Sequence, residues 1–339
     1  MQKLKAVIVI GASAGGLRAI AELVSKISSN LNTAIFVVLH VGRNSLSPVM
    51  VNYIQKGTSF TCLMAEDELE IKKGHLYVAP PDYHLLLKQG TMRVIKGAHE
   101  NRWRPSIDVL FRSAAASYES KVIGIILTGL LDDGTSGMSA IKRSGGICMV
   151  QEPADAEFED MPVNVLNNVD VDYRVPIADM GYVLDDIFSK PHYTDIKAVP
   201  EDVQIEAAIT ERMSSNVEEM EKIGTRSIFS CPDCGGGLWE IKNDSVHRYR
   251  CYTGHVYTEK VLLEKQADAL EESLWVAIRM LEERKNMFLM MAHRNQETTR
   301  IELEAENRKK AKSMVLHINR LKKLMITLDK SGPETSGFA

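Results

Sequence analysis

Short apolar runs punctuate the first half of the chain: Ala6-Val7-Ile8-Val9-Ile10, Ala34-Ile35-Phe36-Val37-Val38-Leu39, Val122-Ile123-Gly124-Ile125-Ile126-Leu127 and Gly146-Ile147-Cys148-Met149-Val150. Each is too short for a helix and rich in β-branched residues, so each reads as a buried strand. Residues 61–64 and 75–79 read as further strands, and residues 83–87 and 92–95, around Lys88-Gln89-Gly90, as a hairpin. Helical spacing takes over in Leu17-Arg18-Ala19-Ile20-Ala21-Glu22-Leu23, and again from Ser106 through Val109-Leu110-Phe111, with Ser106 as a candidate cap. Strands alternating with helices predict an α/β protein with parallel strands. After Thr258 the period changes. Leu263, Ala267, Leu270, Leu274, Ala277, Leu281 and Phe288 follow a heptad seam, its phase is lost across residues 295–300, and Ala311, Met314, Ile318, Leu321, Met325 and Leu328 form a second seam. Two helices are expected, as an antiparallel hairpin or one long bent coiled-coil helix.

Candidate chemistry lies where strands end. Gly11-Ala12-Ser13-Ala14-Gly15 fits G-x-S-x-G, whose glycines permit a sharp strand-to-helix reversal and leave the serine exposed. The first amides of the following helix suit an oxyanion. Such a turn also holds pyrophosphate in dinucleotide folds, but those want an acidic residue near the end of the second strand, and this chain has His40 there. Asp132 and Asp133 follow the most apolar strand and are placed to bind a metal, cap a helix or orient an imidazole. Ser13, His40 and Asp133 thus stand at the ends of three candidate parallel strands, where a nucleophile, a base and its orienting carboxylate would converge. Their chain order, Ser-His-Asp, differs from the Ser-acid-His order of α/β-hydrolases. Arg102 and Arg104 flank Trp103 and are candidates for a substrate wall; Cys62, in an apolar segment, reads as core.

A length of 339 residues accommodates about two domains. A formal net charge of -4 carries no signature of nucleic-acid binding. No apolar run approaches the roughly 18–20 residues that span a bilayer, so no membrane insertion is expected. Five cysteines, an odd number with three clustered, point to a reducing compartment and a metal rather than to disulfides. A cytoplasmic location is expected.

Five segments carry a resemblance. They are Ile10 to Gly16, the strand ending in His40, Asn101-Arg102-Trp103-Arg104-Pro105-Ser106-Ile107-Asp108-Val109-Leu110-Phe111, Leu127-Thr128-Gly129-Leu130-Leu131-Asp132-Asp133-Gly134, and Met161-Pro162. In that order they resemble the catalytic domain of the chemotaxis receptor methylesterases (CheB type). The resemblance implies a doubly wound, mostly parallel α/β fold and a protein-glutamate methylesterase that hydrolyses glutamate 5-methyl esters on chemoreceptors to glutamate and methanol. Glutamine deamidation would be a close second activity, and catalysis would need no cofactor. By position, the resemblance makes Ser13 the nucleophile, His40 the general base and then acid, Asp133 the orienting carboxylate, and the amides of Ala14 and Leu130 the oxyanion donors. Asp132 stands where asparagine is usual in the receptor-regulated members, Leu130-Leu131 replaces a Met-Gly pair, and the segment after His40 lacks the prolines common there. The first strand starts within ten residues, so a stand-alone form without a receiver domain is expected. The implied partner is the cytoplasmic helices of a methylated chemoreceptor. A non-catalytic signalling scaffold is the alternative, and the presence of Ser13, His40 and Asp133 favours the enzyme.

Further along, Cys231-Pro232-Asp233-Cys234 and Cys251-Tyr252-Thr253-Gly254-His255 form C-x2-C and C-x3-H pairs sixteen residues apart, with the knuckle-like Cys234-Gly235-Gly236-Gly237 between them. Two close pairs of such ligands suit tetrahedral structural zinc, with Cys231, Cys234, Cys251 and His255 filling all positions. His247 is a lesser candidate for the fourth ligand. The expected organisation is a catalytic domain over 1–188, a partly helical linker over 189–225, a zinc-ribbon-like module over 226–258, a helical hairpin or coiled coil over 259–330 and a disordered tail over 331–339. The last two modules also resemble the C-terminal extension of stand-alone members of the family. Their helices would dock a signalling partner or a second copy of the chain.

Overall fold

In the computed structural model, residues 4–42, 47–190, 197–298 and 300–329 are described. The apolar runs form the strands of an α/β layer: β1 (Ala6–Ala12), α1 (Gly16–Ser25), β2 (Thr33–Leu39), α2 (Ser47–Gln55), β3 (Thr61–Met64) and β4 (His75–Val78). The hairpin β5 (His84–Lys88) and β6 (Thr91–Ile95) follows, then α3 (Ile107–Tyr118), β7 (Val122–Ile126), α4 (Thr135–Arg143), β8 (Ile147–Gln151), α5 (Asp160–Asn168), β9 (Tyr173–Val175) and α6 (Ile177–Ser189). Seven strands lie in the order β3-β4-β2-β1-β7-β8-β9, and every pairing in this sheet is parallel.

Helices cover both faces, which is why these strands are apolar throughout rather than alternating. Val7 and Val9 of β1 pack with Leu110, Phe111 and Ile141. Ile8 and Ile10 face the other way, against Ile20, Leu23, Met180 and Leu184. From β1 the chain crosses toward β2, whereas from β7 it crosses toward β8. The connections leaving these neighbours diverge, and the crevice at their C-terminal ends is where an open α/β sheet binds ligands.

The stretch expected as a linker is largely α7 (Glu201–Arg212) and α8 (Val217–Ile223), while residues 191–196 lie outside the described residues. Val203 joins the core beside α3. Within this stretch, expected as a linker, Glu206 is buried against Arg248, which donates to it at 2.7 and 2.5 Å. Four antiparallel strands come next in the order β10 (Gly224–Ser230), β11 (Gly237–Ile241), β12 (Arg248–Cys251) and β13 (Val256–Thr258). Trp239 and Ile241 pack on Ile209, Met220 and Ile223. A buried charge network ties this small sheet to the large one: Glu100 accepts from Arg112 and Arg250 at 3.0 Å each, and Arg250 donates to Thr210 at 3.0 Å. The parallel sheet and this module therefore belong to one compact unit that ends at Val261.

Acid should dissolve the network. Burial alone would raise both carboxyls, but the surrounding arginines outweigh it, holding Glu100 at about 2 and Glu206 lower still. A carboxyl depressed by folding stabilises the protein above its ordinary value of 4.5 and loses that contribution as pH falls toward its folded value. Urea unfolding should therefore show stability falling between pH 4.5 and 2, on the order of 3 kcal/mol from Glu100 alone. Glu206→Gln should flatten that dependence while lowering stability at neutral pH by about 3 kcal/mol, because it strands buried guanidinium groups.

The second unit starts at Leu262. It consists of α9 (Glu259–Glu297), apart from its first turn, and α10 (Ile301–Asp329). Lys310 lies over the Phe288 ring and Arg308 reaches Gln296, so the two helices run antiparallel. Ile278, Ala292, Ala311 and Ile318 are the buried residues of their seam. Leu263 and Leu270, expected in the first seam, are exposed: α9 has 39 residues and α10 only 29, so the first turns of α9 outreach the partner helix. The expected tail at 331–339 lies outside the described residues.

Candidate active site

Ser13 opens the turn after β1. Its N–H donates to the Thr128 carbonyl at 3.0 Å, stitching this turn to the loop after β7, and the Gly16 N–H closes back on the Ser13 carbonyl at 2.9 Å. Gly15 adopts φ +72°, in the left-handed region. Gly129 is required for a different reason: a Cβ there would lie 2.1 Å from Met161 Sδ and 2.8 Å from Ser13 Cβ. Any side chain at 129 would push on the serine.

His40 extends β2, its N–H on the Ala12 carbonyl at 3.1 Å, so the end of the strand brings the imidazole beside the Ser13 turn. Nε2 lies 2.8 Å from Asp133 Oδ2. The indole of Trp103 stacks on the imidazole at 3.9 Å between centroids and 6° between planes. Nδ1 is buried and has no hydrogen-bond partner. An ionised Asp133 can only accept, so Nε2 carries the proton and Nδ1 keeps its lone pair.

Asp133 is clasped by donors. Besides His40 it accepts from the Ser106 hydroxyl at 2.9 Å, the Ile107 N–H at 2.7 Å and the Asp108 N–H at 3.2 Å. Burial works against its charge, but bonding and charge from His40, then the bonds from Ile107 and Ser106, hold the carboxyl below its ordinary range. Asp108 returns the favour to α4, accepting from the N–H groups of Gly134 and Gly137 at 3.0 and 2.6 Å. Asp133 thus caps α3 and Asp108 caps α4. Burial, reinforced by the neighbouring Asp133 charge, pushes Asp108 well above the ordinary carboxylate range. Ser106 occupies the cap position of α3 but makes no cap bond there; its hydroxyl serves Asp133 instead.

Ser13 and His40 open on one cavity of about 330 Å³, which is also lined by Arg18, Met50, Tyr53 and Glu157. Among the described residues, Arg18 is the arginine on this wall. Arg102 is exposed on a turn, and Arg104 is engaged by Asp82 at 3.0 and 2.6 Å and by the Gly97 carbonyl at 2.7 Å. Nothing in the local pattern of residues distinguished Arg18, exposed on the first turn of α1, from an ordinary surface arginine. The amides of Ala14 and Leu130 lie at the two loops that meet here. Leu131, in the position after Leu130, adopts φ +68° without being glycine, and Asn164 donates to its carbonyl at 2.7 Å. Burial, with the adjacent Asp133, raises Asp132 toward the neutral form that an asparagine would copy.

In the small antiparallel sheet of the same unit, the donor atoms of Cys231, Cys234, Cys251 and His255 all lie within 4.8 Å of one another. Cys234 and Cys251 sulfurs are 3.9 Å apart, and Cys251 Sγ lies 3.6 Å from His255 Nδ1. A tetrahedral zinc with sulfur and nitrogen arms has edges of about 3.8 and 3.6 Å, so the donor set fits. The contact between Cys231 and Cys251 lowers the Cys251 thiol and raises the Cys231 thiol, and His255 lowers Cys251 further. His247 is exposed beside Glu240 and lies outside the cluster.

Fold and site together define an open parallel α/β protein whose strand-end crevice gathers a hydroxyl, an imidazole and a clasped carboxylate. The family model for CheB methylesterase matches residues 8–184, and the chain belongs to that family. A putative protein-glutamate methylesterase/protein-glutamine glutaminase of Leptospira interrogans is 41% identical over 167 residues, which cover 49% of this chain and 86% of that protein. The protein-glutamate methylesterase/protein-glutamine glutaminase of Thermotoga maritima is 32% identical over 174 residues, half of each chain. The crystal structure of the Thermotoga maritima CheB methylesterase catalytic domain matches with a TM-score of 0.52 and 30% identity, covering 54% of this chain and 98% of that domain.

Proposed function

We propose that this chain hydrolyses glutamate 5-methyl esters on chemoreceptors, with Ser13 as nucleophile, His40 as base and acid, and Asp133 as the group that fixes the imidazole. The observation that carries the reading is the state of His40: Nε2 is committed to Asp133, Nδ1 is left buried and unpartnered, and the residue lines the same cavity as Ser13. Nδ1 accepts the Ser13 proton as Oγ attacks the ester carbonyl. The oxyanion that forms is met by the amides of Ala14 and Leu130. Methanol leaves with the proton from Nδ1, and water, activated by the same nitrogen, releases the glutamate. A glutamine amide would follow the same course with ammonia as leaving group, in keeping with the double name of the relatives. General acid–base catalysis supplies about 10²–10⁴-fold and an oxyanion donor about 10²–10³-fold.

The substrate would be the cytoplasmic helices of a receptor, which places the chain in the cytoplasm; among the described residues no helix is long and apolar enough to cross a membrane. The cysteine and histidine cluster would hold a structural zinc, with no open position for chemistry. Metal analysis of purified protein should find about one zinc per chain, and Cys251→Ser should lose it; a metal-free native protein would refute the assignment. Exposed Trp275, Met280 and Ile326 on the helical hairpin support a helical partner. The test of the reading as a whole is methanol release from a methylated receptor. Release at the rate of the uncatalysed reaction would refute it.

A further inference from the structure

Trp103 reaches His40 from the end of a strained turn, which closes on itself where the Trp103 N–H donates to the Glu100 carbonyl at 2.9 Å and the Glu100 N–H to the Trp103 carbonyl at 3.3 Å. Asn101 and Arg102, the two central residues of the Glu100–Trp103 turn, adopt φ +47° and +71°. Two successive left-handed residues make the turn that ordinarily selects Asn-Gly, and an arginine there is strained. Such a conformation persists only where its surroundings over-determine it.

Part of the surroundings is α3, where Arg112 donates to Glu100 at 3.0 Å and Asp108 accepts from Asn101 Nδ2 at 3.4 Å; the rest is the cysteine-histidine module. The Asn101 N–H donates to the Val256 carbonyl at 2.9 Å, and the Val256 N–H donates to the His99 carbonyl at 3.3 Å. The Thr258 N–H donates to Asn101 Oδ1 at 2.9 Å. Arg250 donates to Glu100 at 3.0 Å. These partners lie on β12 and β13, the strands joined by the turn from Cys251 to His255, two of the four candidate metal ligands. That turn is tight: Cys251 N–H meets the His255 carbonyl at 3.0 Å and Gly254 N–H meets the Cys251 carbonyl at 3.0 Å. A metal held by Cys251 and His255 would brace this closed turn, and with it the edge on which the strained turn is hung.

We propose that this module is a clamp on the active site, and that Trp103 is the positioning residue through which it acts: metal binding holds the Glu100–Trp103 turn, the turn holds the indole on the imidazole, and the indole keeps His40 in the plane in which Nε2 meets Asp133. The flat stack also places an electron-rich face against the imidazolium that forms during the reaction. The proposal rests on the reading of His40 as the catalytic base. It assigns the module a part in controlling activity, so that conditions that strip the metal or oxidise its thiols would switch the enzyme down without touching Ser13, His40 or Asp133.

The test is a cycle between metal and indole on the full chain. Chelation under reducing conditions should lower kcat for methyl-ester hydrolysis about 10- to 100-fold, the effect of a misplaced catalytic group, with KM little changed and with recovery on adding zinc. The His40 ring-proton resonances, shifted by the stacked indole, should move in step. Trp103→Ala should lower kcat by a similar factor, Trp103→Phe should recover most of it, and chelation of Trp103→Ala should add no more than about a further twofold. Arg102→Gly, which relieves the left-handed strain, should shrink the effect of chelation. Unchanged kcat and resonances on chelation, multiplicative effects of chelation and Trp103→Ala, or unfolding of the parallel sheet on chelation would each overturn the clamp. Failure of the underlying reading shows differently, as turnover surviving His40→Ala.

Discussion

Ser13→Ala should lower methanol release by about 10⁴-fold or more, with binding of methylated receptor and the unfolding transition nearly unchanged. The loss is large because Oγ forms the bond that breaks the reaction into two steps. What survives comes from the amides at Ala14 and Leu130 and from substrate binding, which do not depend on the serine side chain. Stability is spared because Ser13 is held by its backbone, through the bond from its N–H to Thr128 and the closure from Gly16. Removing one half-buried hydroxyl costs little where it has no internal partner. Steady-state kinetics beside thermal unfolding separates the two effects. A variant that keeps near-native turnover would remove Ser13 from the mechanism.

Asp133→Asn should be nearly as damaging and, unlike the first, should also destabilise the fold. The carboxylate accepts from His40, Ser106, Ile107 and Asp108, two donors on each oxygen. An amide can present only one oxygen. With its NH₂ toward His40, it forces Nε2 to accept, so the proton moves to Nδ1 and the base is lost; the effect on kcat is about 10⁴-fold. With its NH₂ toward Ser106, the hydroxyl can turn to accept, but the Asp108 N–H is left facing a donor. Either way one buried amide of α3 loses its acceptor, at about 1–3 kcal/mol. The Asp133 charge that helps to raise Asp108 also disappears, so Asp108 should ionise more readily in the variant. Measured kcat together with the urea midpoint should fall in both respects; a fall in stability alone would show that Asp133 is only a helix cap.

The strands were legible because burial on both faces writes itself as continuous apolar runs, and Ser13, His40 and Asp133 were legible because they sit at the ends of those runs. What escaped depends on partners far away in the chain. Glu206 looked like part of a linker because the arginine that neutralises it lies 42 residues further on. Ser106 looked like a cap for its own helix, and Asp108 carried no signal, because the reciprocal capping of α3 and α4 joins residues 25 or more apart. Trp103 stood in the sequence only as the residue flanked by Arg102 and Arg104, and only the fold could show that what it covers is His40. Arg104 was read as a substrate contact on its charge alone, and Asp82, on the loop before β5, claims that charge. The first heptads of α9 followed the rule for a buried seam but outrun the shorter helix that would have buried them.

The central claim is that His40 draws the proton from Ser13, and covalent labelling reads it most directly. A fluorophosphonate should modify Ser13 alone, located by peptide mass, and His40→Ala should slow that labelling by about 100-fold or more at neutral pH. A label on another residue, or an equal rate in the two proteins, would contradict the account.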